Sequence, residues 1–321
     1  MPDSVDAMRV LTSVDDLPAG LRFVVVIGVF DGVHRGHQRV IDATVAAAAE
    51  RAAVPVALTF DPHPLAVLRG SAPPLLCDPD ERLAHLARLG IGISVVQPFD
   101  SQFADQPADA FLRRLADGRE LRGLVMTPES AFGRDRAGAL ATIESLAEPM
   151  GFRVFQVEQL TVAGAPISST RLRESLAGGR LAEVRRLLGR RYAVVGEVVT
   201  GDRRGRALGY PTANLRFDQP VALPVDGIYA VRVAWGGPDP LSPARRADGV
   251  ASLGVRPTFG GGARTLEVYV LDLDEDLYGE RLRLEFVRRQ RGERRFSSAE
   301  ALVRQMDRDA ARARQLLAAM R

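Results

Sequence analysis

The sequence predicts two architectures in tandem: an α/β domain built on a parallel sheet, then an antiparallel β-barrel with a terminal helix. Three observations predict this. Over the first 186 residues, apolar runs of strand length alternate with helix-length segments, the pattern of a parallel sheet covered on both faces. After Leu188–Gly189 the style changes, and strand-like segments follow one another across Gly- and Pro-rich turns with no helix between them. The length, 321 residues, suits two domains. The expected boundary lies near Arg186, giving domains 1–186 and 187–321.

Taken in order, Arg22–Phe30 is a continuous apolar run, as expected of a strand buried on both faces. The alanine-rich stretch Gly36–Ala53 has no Gly or Pro inside and reads as a helix. Pro55–Phe60 is a second buried strand. Asp78–Leu89 has an Asp N-cap, an apolar stripe at Leu83, Leu86 and Leu89, and Gly90 as its stop. Ile91–Gln97, Leu121–Thr127 and Arg153–Glu158 fit further strands, with helices around Pro107–Leu115 and Ala139–Ala147. In the second half, Tyr192–Thr200, Ile228–Trp235, Gly249–Val255, Thr265–Leu271 and Arg281–Phe286 read as strands. A closing helix is expected over Ala299–Ala319, with Ser297 and Glu300 as a capping box.

Composition removes several function classes. All 43 basic residues are arginine, so a lysine-bearing Walker A loop, a Schiff-base enzyme and a protein-kinase site are excluded. The single cysteine, Cys77, excludes an intramolecular disulfide and a Cys-rich metal site. A net charge of +3 on this length reads as a solvated surface, not a nucleic-acid footprint, and no RNA-reading aromatic motif is present. The start, MPDSVDAMRV, lacks a signal pattern, and the longest apolar runs fall far short of a membrane span. A cytoplasmic protein without nucleic-acid or membrane partners is expected; the sequence does not specify an oligomeric state.

The first chemical constellation is GVFDGVHRGH, Gly28 to His37, between the first strand and the first helix. Ligands of open α/β sheets sit beyond the carboxyl ends of strands, where a helix N-terminus offers free N–H groups to phosphate. Gly28, Gly32 and Gly36 allow close backbone approach, with Phe30 and Asp31 in the same loop. His34 and His37, three apart, can both face one ligand and stabilise charge developing at phosphorus. The plainer alternative is a glycine-rich turn whose histidines cap a helix.

The second constellation is GDRRGRALGYPTANL, Gly201 to Leu215. Thr212 and Asn214 are two apart, so in an extended segment they face the same way. A hydroxyl and an amide oxygen suit Mg²⁺, which takes few protein ligands beside water and substrate phosphates. From chemistry alone, a turn containing Asn remains the competing reading.

Both constellations resemble known families. GVFDGVHRGH resembles the HxGH signature of the nucleotidyltransferase superfamily, and TFDPHP (Thr59–Pro64) looks like its flavin adenylyltransferase branch, implying that Asp61 and His63 line the site. ISSTRLR (Ile167–Arg173) matches that branch's second signature, which implies nucleotide contacts from Ser168, Ser169 and Thr170 and a catalytic Arg171 pairing with phosphate. In MTPESAFGRDRAG (Met126–Gly138) the Phe132–Gly133 end, Arg136 and Gly138 match the family. Thr127, Glu129 and Ser130 stand where the branch has Gly, Asp or Asn, and Phe. Glu129 is thereby expected at the nucleotide site, long enough to crowd it.

GDRRGRALGYPTAN resembles the flavokinase signature, carried in that family by a six-stranded barrel. It implies substrate contacts from Gly201, Gly205, Arg206, Gly209 and Pro211, and Mg²⁺ at Thr212 and Asn214. VDGIYAV (Val225–Val231), SLGVRPTFGG (Ser252–Gly261), LEVYVLDLDEDLYG (Leu266–Gly279) and RRQRGERRF (Arg288–Phe296) follow in the family's order, with Ser252 where many members have asparagine. The resemblance makes Glu267 the general base and Arg291 a flavin- and phosphate-contacting residue. From about Val24 to Leu317 the chain resembles the bacterial bifunctional riboflavin kinase/FAD synthetase family. Riboflavin, FMN and ATP are its implied substrates, Mg²⁺ its implied metal. The departures at Thr127, Glu129 and Ser130 leave open a kinase-only enzyme.

Overall fold

Five parallel pairings set the first architecture. In the computed structural model, which describes residues 8–200, 209–255 and 264–320, strands β1 (Arg9–Leu11), β2 (Arg22–Ile27), β3 (Val54–Asp61), β4 (Ile93–Pro98), β5 (Glu120–Met126) and β8 (Arg153–Gln156) form one sheet in the order β1-β4-β3-β2-β5-β8. Strand β2 shows why the apolar runs are continuous. Phe23 and Val25 enter a core on one face with Val14, Phe111, Leu112 and Ile143, while Val24 and Val26 pack on the other against Val40, Ile41 and Leu86. Burial on both faces leaves no polar alternation. The cover comes from α1 (Arg35–Glu50), α2 (Pro64–Arg69), α3 (Pro79–Arg88), α4 (Ser101–Ala104), α5 (Ala108–Ala116) and α6 (Leu140–Ala147). The small pairs β6 (Ala131–Phe132) with β7 (Gly138–Ala139), and β9 (Thr161–Val162) with β10 (Ala165–Pro166), sit outside the main sheet.

Helices α7 (Ser169–Ala177) and α8 (Leu181–Leu188) precede a closed barrel of six antiparallel strands. These are β11 (Ala193–Val199), β12 (Ala213–Arg216), β13 (Gly227–Trp235), β14 (Arg245–Val255), β15 (Arg264–Val270) and β16 (Arg281–Arg291), ordered β11-β12-β15-β14-β13-β16. Alternation is clean on β15: Leu266, Val268 and Val270 are buried, and Glu267 and Tyr269 lie on the opposite face. That face is covered by α9 (Ala299–Ala318), whose Ala310, Ala313 and Leu317 pack on Ala230, Val250, Tyr269 and Leu271.

The chain divides into two compact units: one holds the residues up to Pro73 with Arg82–Ser168, the other Pro74–Glu81 with Ser169 onward. Within the second unit the short Pro74–Glu81 segment is tied into the barrel. Leu75 bridges Val221 in parallel, with backbone hydrogen bonds of 2.8 Å to Pro220 and from Ala222. Arg281 grips Asp80 and Asp78 at 2.5 and 2.8 Å, and Arg283 holds the buried Glu81 at 2.9 Å. Burial pushes the Asp78 carboxyl up from its ordinary range, against the lowering pull of Arg281.

Some local expectations need correction. The first strand ends at Ile27, not Phe30, because the chain turns at Gly28 and Phe30 takes a positive φ of 52°. The terminal helix is capped by Ser298, whose hydroxyl accepts from the Ala301 N–H at 3.2 Å; Ser297 is one residue too early. Strand β12, hidden in the Pro-Thr-Ala-Asn segment, was absent from the expected set, as were β1 and α2.

Candidate active sites

In the α/β unit, the loop after β2 leads into the N-terminus of α1. His34 is the N-cap: its Nδ1 accepts from the His37 N–H at 3.2 Å, which leaves Nε2–H as the ring's donor. The two imidazoles stack with centroids 3.6 Å apart, 15° from parallel. Capping and ligand-facing, posed as alternatives by the sequence, are therefore compatible in one residue. Phe30 is 1% exposed and meets His37 edge-on at 5.4 Å, so its ring buttresses the pair and any substrate contact falls to its backbone. Asp31 is also buried. A Cβ on Gly36 would sit 3.1 Å from His34 Nδ1 and 3.6 Å from the Ile167 carbonyl, which brings the entrance of the ISSTRLR segment to this helix end. His63 repeats the capping device at α2, its Nδ1 accepting from the Leu65 N–H at 3.1 Å, while Asp61 is exposed at the end of β3.

The departures from the flavin-branch pattern form a self-contained turn. Thr127 N–H donates to Ser130 Oγ at 3.0 Å, the two hydroxyls are 3.0 Å apart, and Ser130 N–H returns to the Thr127 carbonyl at 3.0 Å. Glu129 is exposed, and Arg136 holds its carbonyl at 3.1 Å. The matching Gly133, at φ 74°, has no room for a side chain: a Cβ there would lie 2.8 Å from the Ala108 nitrogen. Beside this segment a cleft of about 1,090 Å³ is lined by Gln97, Asp100, Phe103, Arg114 and Arg134, with Phe103 part of a chain of tilted and edge-on rings running from Phe60 to Phe132. Sequence reading missed this cleft.

In the second unit, α7 begins at Ser169, so Ser168 precedes the helix and Thr170 is exposed in its first turn. Arg171 is engaged by Glu183 of α8, through Nη2 at 3.0 Å and Nε at 3.2 Å. Hydrogen bonds from Arg180 and Arg171 hold the Glu183 carboxyl below its ordinary range.

The barrel's centre lies on the outward face of β12 and β15. Asn214 stands opposite Glu267 in register, and Thr212 Oγ1 donates to Glu267 Oε2 at 3.1 Å. Three oxygen-bearing side chains thus share one face. Thr212 lines two cavities. One, about 300 Å³, is walled by Val198, Pro211, Val268, Val270 and Leu277 with Asp274–Asp276. The other, about 410 Å³, holds Glu267, Tyr210, Tyr269, Arg291 and Phe296 and is bounded by Leu302, Met306 and Asp309 of α9. Arg291 is locked by Asp309, buried at 5% exposure, with Nη2 at 2.6 Å and Nε at 3.0 Å, and Gln305 supports the same carboxylate at 2.9 Å. In the same cavity Tyr210 donates its hydroxyl to Asp307; burial and that carboxylate push the phenol up to about 12. Gly209 is exposed at φ 82°. Gly201, Gly205 and Arg206 lie outside the described residues. The Thr212–Asn214 pair fits Mg²⁺ in kind: hard oxygen donors, few in number, beside room for phosphate. Among the described residues no cluster of three His, Cys, Asp or Glu side chains offers a different metal site.

A phosphate-facing helix end in one unit and a hydroxyl–amide–carboxylate face between two cavities in the other define a class: a two-centre phosphoryl- and nucleotidyl-transferring enzyme. Comparison with known proteins makes this specific. The FAD synthetase family profile matches residues 19–171, and the riboflavin kinase profile matches residues 188–317. The chain is 35% identical to the bifunctional riboflavin kinase/FMN adenylyltransferase of Escherichia coli K12, over 91% of this chain and 92% of that one. It is 33% identical to the protein of the same name from Listeria monocytogenes, over 89% and 90%. A solved structure from Streptococcus pneumoniae, described as a macrolide-efflux protein, superposes with a TM-score of 0.83 at 30% identity, over 96% of this chain and 99% of that one. Among the described residues no helix is long and apolar enough to cross a membrane. The chain belongs to the bifunctional riboflavin kinase/FMN adenylyltransferase family, and is an enzyme with both activities.

Proposed function

We propose that residues 187–321 transfer the γ-phosphoryl group of Mg·ATP to riboflavin, giving FMN and ADP. Residues 1–186 then transfer AMP from a second ATP to FMN, giving FAD and pyrophosphate. The observation that carries the kinase reading is Thr212, which belongs to the walls of both barrel cavities. The cavity with apolar strand residues suits the adenine nucleotide. The one with Tyr210, Tyr269 and Phe296 suits the isoalloxazine ring. Donor phosphate and acceptor hydroxyl then meet at Thr212 and Glu267, the proximity that phosphoryl transfer depends on.

Glu267 acts there as general base for the ribityl 5′-hydroxyl, oriented by the hydrogen bond from Thr212. Mg²⁺ held by Thr212 and Asn214 would neutralise charge on the phosphates. Arg291 faces the flavin, and Gly209 and Pro211 shape the approach to Thr212. In the α/β unit, the FMN phosphate is already ionised near neutral pH, so adenylyl transfer needs no base. His34 and His37 stabilise phosphate charge, with the loop amides of Gly28 to Gly32 and the N-terminus of α1, and the family resemblance assigns Arg171 a phosphate in the same reaction. Asp61, His63 and Glu129 border that site, and the cleft beside Phe103 takes the flavin ring of FMN. Both reactions consume ATP, consistent with a cytoplasmic enzyme acting on small molecules alone.

The test is direct. Purified enzyme with Mg²⁺ and ATP should convert riboflavin to FMN, and supplied FMN to FAD. FMN formation without FAD formation would reduce the protein to a kinase.

A further inference from the structure

Arg82 is a cation without an evident structural purpose. It sits in α3 at 7% exposure, and among the described residues no carboxylate pairs with it. Its neighbour Glu81 is held by Arg283. Its Nε is buried without a hydrogen-bond partner, and its Nη1 donates to a single acceptor, the Val29 carbonyl, at 3.2 Å. Val29 lies in the loop between β2 and the N-terminus of α1. The same carbonyl accepts from Thr59 Oγ1 at 3.1 Å.

Two physical arguments converge on this contact. A charge withdrawn from water is unfavourable unless an opposite charge balances it, and none of the described residues forms an ion pair with this one. The loop is also conformationally unusual, since Phe30 and Val33 hold positive φ angles of 52° and 38° without being glycine. Such backbone persists only where its surroundings fix it. The two donors on Val29 do so at the point where the chain leaves the sheet.

We propose that Arg82 is a positioning residue of the adenylyl-transfer centre. It pins the loop through Val29, and its charge is balanced by the polyphosphate of bound ATP. This rests on reading Gly28–His37 as the nucleotide loop.

Riboflavin phosphorylation in the same chain serves as the internal control. In R82Q and R82M, kcat/KM for FAD formation from FMN should fall about 10²-fold, as for a small displacement of reacting groups, with KM for ATP raised. R82K keeps the charge and one donor and should recover to within about tenfold of the parent, a difference of about 1.4 kcal/mol. Riboflavin phosphorylation should be unchanged in all three. FAD formation within about threefold of the parent in R82Q and R82M would overturn the proposal. So would R82K performing no better than R82M, or riboflavin phosphorylation falling in step. H34A separates the two levels: full FAD formation in that variant would refute the nucleotide-loop reading itself.

Discussion

The two centres of this enzyme divide labour between fold and chemistry in opposite ways. In the α/β unit, residues in and around the proposed site also hold the backbone together. His34 caps α1, His63 caps α2, and Phe30 is core. In the barrel, the inward residues of β15 hold the fold while Glu267 and Tyr269 lie on the outward face, under α9. The difference teaches that a defect at the first centre mixes folding with chemistry, whereas a defect at the second is cleaner to interpret.

The largest expected effect sharpens that contrast. E267Q keeps the size of the side chain but loses the base, so riboflavin phosphorylation should fall about 10²–10⁴-fold while FAD formation from supplied FMN stays intact. Steady-state assays of both reactions check this, and loss of both in a folded variant would break the two-centre picture. H34A should lower FAD formation about 10²–10³-fold, as for removal of one charge-stabilising donor. Unlike E267Q it should also lower Tm, because the cap of α1 goes with it. An unchanged melting curve would contradict the double role assigned to His34. D309N tests whether α9 serves the barrel centre. With Arg291 released from its carboxylate, KM for riboflavin should rise about tenfold with kcat little changed, roughly one charge-assisted hydrogen bond. The smallest effect is S298A, which removes the observed helix cap and should cost about 1 kcal/mol in denaturant unfolding, with S297A near neutral. Reversal of those two would restore the cap position expected from sequence.

What was legible in the sequence follows the same divide. Thr212 and Asn214 could be placed because residues two apart in an extended segment share a face, while Glu267 was placed by the resemblance of its motif to the flavokinase family. Leu302, Met306 and Asp309 could not. They arrive at the cavity from a helix late in the chain, and an Asp on an amphipathic helix reads as a solvated charge until its arginine is known. Arg82 was hidden for the same reason, a buried cation disguised as the polar face of α3. Strand β12 escaped notice because its four residues follow a proline. The fold class was readable because burial on both faces of β2 and on one face of β15 writes distinct patterns.

The segment Pro74–Glu81 carries a consequence for biosynthesis. Its carboxylates at Asp78 and Glu81 find their arginines, Arg281 and Arg283, 203 and 202 residues further along the chain. At a ribosomal rate of about 5–20 residues per second, the early segment waits about 10–40 s for its partners to emerge. The residues on either side of it can meanwhile assemble the parallel sheet, so a nascent chain would carry a looped-out acidic strap until the last barrel strand arrives.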